Sequence, residues 1–236
     1  MDLEITQELS FVTILVFGFV LGLKHAVEAD HLAAVSTIVA QRKSVVGSAL
    51  IGGFWGLGHT MSLLIVGALV VFLKLKISGA TEAWLEAVVG MMLIVLGVNA
   101  LRKLWKKETI HIHTHEHGQR EHIHIHTHEK NANPENHHIA RLTPRSVAIG
   151  MVHGLAGSAA LMLLIVPAIN VPAIALLYIA LFGAGSIVGM MLMSFLIGLP
   201  MYLTAGKFAL LNKGILLSAG LFSCGLGIFI VYTKMA

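Results

Sequence analysis

The sequence has only one cysteine, Cys224, in 236 residues. A single cysteine excludes an intramolecular disulfide framework and a dithiol relay within one chain. It also argues against an electron carrier of the thiol type, because such a protein would need paired cysteines in the membrane. Thiol redox chemistry is therefore not expected of this chain.

Charge is scarce as well: 12% of the residues are charged, whereas 56% are hydrophobic. That balance is too apolar for an ordinary soluble domain, and the apolar runs exceed the roughly 20 residues that cross a bilayer. No basic face with interleaved aromatic residues is apparent, so no nucleic-acid partner is expected. The N-terminus carries Asp2, Glu4 and Glu8 instead of a basic stretch. We therefore expect no cleavable signal peptide here, and we expect the first span to do the targeting itself.

The hydropathy pattern predicts an all-α polytopic membrane protein with about six transmembrane helices. These spans cover about 10–41, 45–73, 83–104, 145–169, 173–199 and 214–232. The first run is too long for one upright crossing and is interrupted by ionisable residues, so we expect a broken or re-entrant helix there. The predicted organisation is a first membrane half at 1–104, a histidine-rich loop at 105–144 and a second membrane half at 145–236.

The two membrane halves share short sequence patterns. Gly22-x-x-His25 recurs as Gly150-x-x-His153, and two pairs of glycines recur with a common spacing: Gly90 and Gly97, Gly220 and Gly227. Together they predict a 3+3 repeat, with a broken or re-entrant first helix in each half. An odd number of spans per repeat inverts the halves, which is the architecture of many secondary transporters with a site near the midplane.

The densest group of ionisable residues in the apolar part is His25-Ala26-Val27-Glu28-Ala29-Asp30-His31. An ionisable side chain at the bilayer centre costs about 2.5–3.5 kcal/mol on insertion scales, so several together indicate function. On one straight helix, at about 100° per residue, Asp30 would point well away from His25. If His25, Asp30 and His31 bind one ion, the helix must break within the motif.

The residue types favour a transition metal. Imidazole suits nickel, cobalt, zinc and copper, whereas magnesium and calcium prefer oxygen ligands. One carboxylate compensates part of the charge that a divalent ion brings into low dielectric. The predicted ligands are His25, Asp30, His31 and His59.

Two further residues have less definite roles. Glu28 can orient an imidazole from outside the ligand set, or meet the incoming ion first. His153 is a ligand or a gate, with a plain helix–helix hydrogen bond as the alternative. Proton coupling without metal is an alternative for the whole group. The methionine pairs at 91–92 and 190–191 are interpreted as packing rather than as copper ligands.

A second set of histidines lies in the long polar segment, where HIHTHE occurs twice. Alternating His-x-His sequence binds borderline divalent ions, and without metal we expect this tract to be disordered. A solvated tract without a role is the alternative. The loop residues predicted to bind metal are His111, His113, His115, His117, His122, His124, His126, His128, His137 and His138.

Two motifs are similar to known signatures. GLKHAVEADHLAAVS resembles the H-x4-D-H signature of the nickel/cobalt transporter families (NiCoT, and the shorter NicO/UreH-like relatives), and GLGHTMS at 56–62 resembles their second signature. Glu28 and Ser36 stand where the longer members usually carry Asp. HGLAGSAAL at 153–161 resembles the shorter, UreH-like branch, so the metal preference does not carry over directly.

Residues and resemblance together predict a transporter and not an enzyme, moving Ni²⁺ or Co²⁺ as substrate with no bound cofactor. The alternatives are an intramembrane metal-dependent enzyme, disfavoured because His-Glu-x-x-His is absent, and an efflux protein for zinc or another metal. Both uptake and efflux occur in the resembling families, and the acidic outer face favours uptake. A cytoplasmic metallochaperone and a second copy of the chain are open as partners.

Lysine and arginine bias predicts the orientation. One side collects most of the basic residues, which are Arg42, Lys43, Arg102, Lys103, Lys106, Lys107, Arg141, Arg145, Lys207 and Lys213; the other has Lys74, Lys76 and Lys234. The first side is predicted to be cytoplasmic. The protein would then be a multi-pass protein of the cell membrane with both termini outside and the histidine-rich loop inside.

Overall fold

The computed structural model describes residues 2–40, 44–75, 78–105, 110–117, 120–127, 138–156, 171–204 and 209–236. These ranges contain seven helices and one pair of strands. The elements are α1 (Asp2–His25), α2 (Ala29–Val39), α3 (Val45–Leu73), α4 (Gly79–Trp105), β1 (Ile110–His117), β2 (Arg120–Thr127), α5 (His138–Ala156), α6 (Pro172–Thr204) and α7 (Ala209–Met235).

The helices have the length and surface of membrane spans. Among the described residues, α3, α4, α6 and α7 are each long and apolar enough to cross a bilayer, and α1 with α2 counts as a fifth, broken span. Large apolar side chains face outward, including Phe17, Phe72 and Phe229, each more than half exposed. Such a surface suits lipid and not water. The chain is therefore a multi-pass helical membrane protein.

The first span breaks inside the motif, as the sequence predicted. α1 ends at His25, where the amides of Val27 and Glu28 donate to the carbonyls three residues back, at 3.1 and 3.0 Å. α2 starts at Ala29 and turns by 55° from the axis of α1. A carboxylate oxygen of Asp30 accepts the backbone N–H of His31 at 2.8 Å, which satisfies one of the free amides of the new helix end.

Small residues let the long helices approach each other at backbone distance. α4 and α7 run antiparallel and meet at two glycine pairs, Gly90 with Gly227 and Gly97 with Gly220. α3 crosses α6 antiparallel, and the Thr60 hydroxyl donates to the Gly183 carbonyl at 3.1 Å. By contrast, α1 lies parallel to α6 and α5 lies parallel to α3, again with glycines at the contacts. These contacts bring the end of α1 and the end of α5 to the same region.

The predicted fourth span, 145–169, corresponds to α5 as far as Ala156, and its remainder lies outside the described residues. The other predicted spans match α3, α4, α6 and α7 to within a few residues. The helical membrane part is thus confirmed as far as it is described.

The histidine-rich segment forms an antiparallel pair of strands, β1 and β2. The prediction of disorder was wrong for residues 110–117 and 120–127. Isoleucine and threonine alternate with histidine there, and β-branched residues at every second position favour a strand. The backbone register sets histidine opposite histidine at three positions: His111 with His126, His113 with His124 and His115 with His122.

Candidate metal centre

Four imidazole rings lie together where α1 ends, α2 begins, and α3 and α5 pass. His25, His31, His59 and His153 all have 0% of their surface exposed. His31 is in the middle: its ring centroid is 4.4 Å from that of His25 and 4.1 Å from that of His153. The sequence grouped these residues only in part, whereas the fold brings all four into one cluster.

His25 and His59 face each other through their Nε2 atoms, which are 3.3 Å apart. Two nitrogen ligands about 2.1 Å from one tetrahedral ion would be separated by about 3.4 Å. Together with His31, these residues offer ligand atoms that all lie within 4.8 Å of one another. This set, which we call the nitrogen triad (His25, His31, His59), can hold a divalent transition-metal ion.

Asp30 turns toward α5. Its Oδ1 is 3.0 Å from His31 Nδ1, and its Oδ2 is 2.9 Å from His153 Nε2. Asp30, His31 and His153 form a second set of ligand atoms within 4.8 Å, which we call the carboxylate triad. The predicted ligand Asp30 thus groups with His153, a residue given only a secondary role from the sequence, and not with His25 and His59.

Several nitrogens of the cluster have no hydrogen-bond partner. Among the described residues, His31 Nε2, His59 Nδ1 and His153 Nδ1 are buried and unpaired. Buried polar atoms in native proteins are nearly always paired, so each unpaired one calls for an explanation such as an ion or water. Unpaired nitrogens beside two ready ligand triads fit a site that binds a cation.

Glu28 lies at the edge of the cluster. Its Oε2 is 3.0 Å from His25 Nδ1, and its side chain is 41% exposed whereas His25 is buried. A carboxylate that contacts the outer nitrogen of an imidazole fixes the ring and leaves the inner nitrogen for metal. The position is compatible with both roles considered from the sequence.

Two aromatic residues that lie against the histidine cluster, Trp55 and Phe182, were not predicted from the sequence. The buried Trp55 ring lies 5.5 Å from His31 and 5.3 Å from His153, and Phe182 lies 5.4 Å from His25. Trp55 precedes His59 by four residues on α3, so helical periodicity could have placed both on one face. Phe182 comes from α6 and gave no comparable signal.

Most loop histidines predicted to bind metal lie in β1 and β2, and His138 begins α5. His128 and His137 fall outside the described residues. The side chains of the tract are likewise outside the described part. Metal binding there stays a prediction.

A helical membrane protein that encloses imidazoles and a carboxylate at a broken span belongs to the class of membrane metal-ion transporters. The model of the family described as NicO, high-affinity nickel-transport protein, matches residues 11–231. This chain belongs to that family. It is a transporter and not an enzyme, and its metal ion is substrate rather than cofactor.

Relatives support the same placement. The chain is 41% identical to a urease accessory protein UreH of Bacillus sp. (strain TB-90), over 96% of this chain and 93% of that protein. It is 27% identical to the chloroplast protein FOR GROWTH AND FERTILITY 2 of Arabidopsis thaliana, over 92% of this chain but only 55% of that longer protein. No solved structure matches the chain.

Proposed function

We propose that the chain carries Ni²⁺, with Co²⁺ as a second substrate, across the cell membrane into the cytoplasm through the histidine cluster. The observation that carries this proposal is the burial of four imidazoles with unpaired nitrogens beside Asp30, at a break in a membrane span. Nitrogen-rich sites bind nickel and cobalt ahead of manganese and magnesium. The ligands are His25, Asp30, His31 and His59, with His153 as a fifth.

The charge balance of the cluster supports transport. A divalent ion among neutral imidazoles alone would leave two positive charges in low dielectric, whereas Asp30 compensates one of them. Glu28 is partly exposed, so it would contact the incoming ion first and then hold the His25 ring in position. The cluster therefore binds the ion but leaves part of its positive charge uncompensated, so that the ion can also be released.

The helix contacts support a 3+3 inverted repeat, in which α1, α3 and α4 correspond to α5, α6 and α7. Added methyl groups at four glycines would meet carbonyls in two equivalent pairs of contacts. In the first pair, a methyl group at Gly22 would meet the Phe182 carbonyl, and one at Gly185 would meet the Phe19 carbonyl. In the second pair, a methyl group at Gly150 would meet the Trp55 carbonyl, and one at Gly58 would meet the Val147 carbonyl. In each pair, the contacts lie three positions apart on both helices. The first pair joins α1 to α6, and the second joins α5 to α3.

The contact between α4 and α7 obeys the same exchange. Gly90 meets Gly227 as Gly220 meets Gly97, which maps the α4–α7 contact onto itself. His25 then corresponds to His153, while the counterpart of His59 is Ser186. The halves are thus alike in backbone packing and unlike in ligands. Transporters of this architecture alternate access by moving one half against the other around such a site.

The ends of two helices support the proposed orientation. Lys234, at the end of α7, forms an ion pair with Glu86, near the start of α4, at 2.6 Å. Both ends therefore lie on one side, the side predicted to be outside. The histidine-rich tract between α4 and α5 would then face the cytoplasm, where it can buffer incoming metal or hand it to a metallochaperone.

Flux of radioactive nickel into proteoliposomes of defined orientation tests the proposal. His25→Ala, Asp30→Ala and His31→Ala should each abolish uptake, because one missing ligand leaves the others badly compensated. Glu86→Gln is the matched control, since it removes a carboxylate outside the cluster. Uptake near wild type in two of the three cluster variants, or net export only, would contradict the assignment.

A further inference from the structure

The cluster does not converge on a single point. Its ligand atoms fall into the nitrogen triad and the carboxylate triad, and only His31 belongs to both. We propose that these triads are two alternative positions for the transported ion, which share His31 and are occupied in succession. This inference rests on the proposed function and describes how the ion moves through the same site.

His31 has the geometry of a ligand with two faces. Its Nδ1 points to Asp30, at 3.0 Å from Oδ1, whereas its Nε2 is buried and unpaired. Its ring lies between that of His25, at 4.4 Å, and that of His153, at 4.1 Å. In this proposal Nδ1, which contacts Asp30, serves the carboxylate triad, and the unpaired Nε2 serves the nitrogen triad.

The two positions exclude each other. A neutral imidazole carries one proton, and a nitrogen that holds the proton cannot bind an ion. With the ion on Nε2, the Nδ1 proton is donated to Asp30. With the ion on Nδ1, the proton lies on Nε2 and Asp30 is free to bind the ion directly. The ring stays neutral in both states, and the cluster holds one ion at a time.

The positions also differ in which parts of the chain build them. His25, His31 and His59 all come from the first membrane half, on α1, α2 and α3. His153 of the carboxylate triad comes from α5, in the second half, and its contact to Asp30 at 2.9 Å joins the two halves. A shift of α5 relative to α2 would change the carboxylate triad and leave the nitrogen triad intact. Such a movement would bind the ion at one position and release it from the other.

The donor sets support that order. The nitrogen triad offers three imidazoles and no carboxylate, a ligand set that binds borderline ions selectively. The carboxylate triad also accepts harder ions, and its carboxylate compensates more of the ion's charge. Glu28 contacts His25 and is part exposed, so it connects the nitrogen triad to the surface of the protein. The nitrogen triad would then select the ion, and the carboxylate triad would pass it on.

A Ni²⁺ titration with a fluorescence signal that comes from the cluster tests the proposal. Trp55 lies within 5.5 Å of His31 and His153, and the other two tryptophans can be removed by Trp84→Phe and Trp105→Phe in the full-length chain. Quenching of Trp55 by Ni²⁺ then reports binding in the cluster, and replacement of the ten tract histidines by Asn removes competition from the tract. The same variants are measured for nickel flux in proteoliposomes.

Removing a residue of one triad should separate binding from flux. His59→Gln and His153→Gln should each weaken nickel binding by no more than about tenfold, because the other triad remains, yet reduce flux to background. His31→Ala should weaken binding by more than about 100-fold, beyond the range typical of losing an outer partner. His59→Ala and His153→Ala repeat the test with smaller side chains, in case either glutamine misfolds.

Two results would contradict the proposal that the ion occupies two positions. If His59→Gln and His153→Gln bind nickel as poorly as His31→Ala, the cluster is one site of five ligands. If either variant transports at the wild-type rate, its triad is not a step on the path. If His31→Ala binds and transports nickel as the wild type does, the proposed function of the cluster itself fails.

Discussion

The Gly22→Ala substitution adds a methyl group at the contact between α1 and α6. Gly22 lies one turn before His25 on α1. A shift of α1 at Gly22 therefore also moves the buried imidazole of His25. The added Cβ would lie 2.9 Å from the Phe182 carbonyl carbon and from the Ser186 nitrogen, and nearer still to the Phe182 oxygen. All three are backbone atoms, which cannot turn aside as the end of a side chain can.

The size of the effect follows from these distances. Ordinary contacts of a Cβ begin at 3.4 Å, so relief of the 2.9 Å contacts alone requires a shift of at least 0.5 Å (3.4 minus 2.9). Metal sites tolerate ligand displacements of about 0.2 Å. We therefore expect nickel affinity to fall by about 10- to 100-fold, the scale seen when support of a ligand is lost. Overpacking should cost about 1–3 kcal/mol of stability, partly offset by about 1 kcal/mol of helix propensity.

Nickel uptake and thermal unfolding of the purified protein measure both effects. Gly150→Ala should behave in the same way, because its Cβ would meet the Trp55 backbone one turn before His153. Gly225→Ala is the matched control, since nothing lies within 4 Å of a Cβ at that position. Uptake by Gly22→Ala equal to that of Gly225→Ala would refute the reasoning.

Three further predictions concern charge, selectivity and the tract. Asp30→Asn keeps the shape of the side chain and removes its charge, so nickel flux should be lost while the thermal transition persists. In competition uptake assays, cobalt should displace nickel well before manganese or magnesium does; equal competition by magnesium would contradict nitrogen ligation. Replacing the ten tract histidines by Asn should lower equilibrium metal binding from several ions per chain to about one while uptake continues. Imidazoles must be deprotonated to bind metal, so the extra capacity should be present above about pH 6.5 and lost below it. Full metal stoichiometry with no uptake would instead place the tract on the transport path.

The sequence predicted the membrane helices well because a bilayer imposes a length and an apolar composition that can be counted. It also predicted the break in the first span, since His25, Asp30 and His31 cannot point the same way from one straight helix. It failed at β1 and β2, where a low-complexity composition obscured an alternating pattern of β-branched residues.

Glycine spacing is an intermediate case. Gly90 and Gly97 were matched to Gly220 and Gly227 by spacing alone, and the fold brings the two pairs into contact in reverse order, Gly90 against Gly227 and Gly97 against Gly220. The spacing could suggest that the two helices correspond. It could not say that they touch, because contact depends on how all the helices pack.

The sequence by itself determined the class of the protein and the residue types of its site, because hydropathy and metal chemistry are local properties of side chains. Only the tertiary structure decided how those residues group. His153 is far from Asp30 along the chain and yet 2.9 Å from it in space, because glycines at 22, 58, 150 and 185 let α1, α3, α5 and α6 approach at backbone distance. The division of the cluster into two triads around His31 depends on that packing, and no spacing within the sequence expresses it.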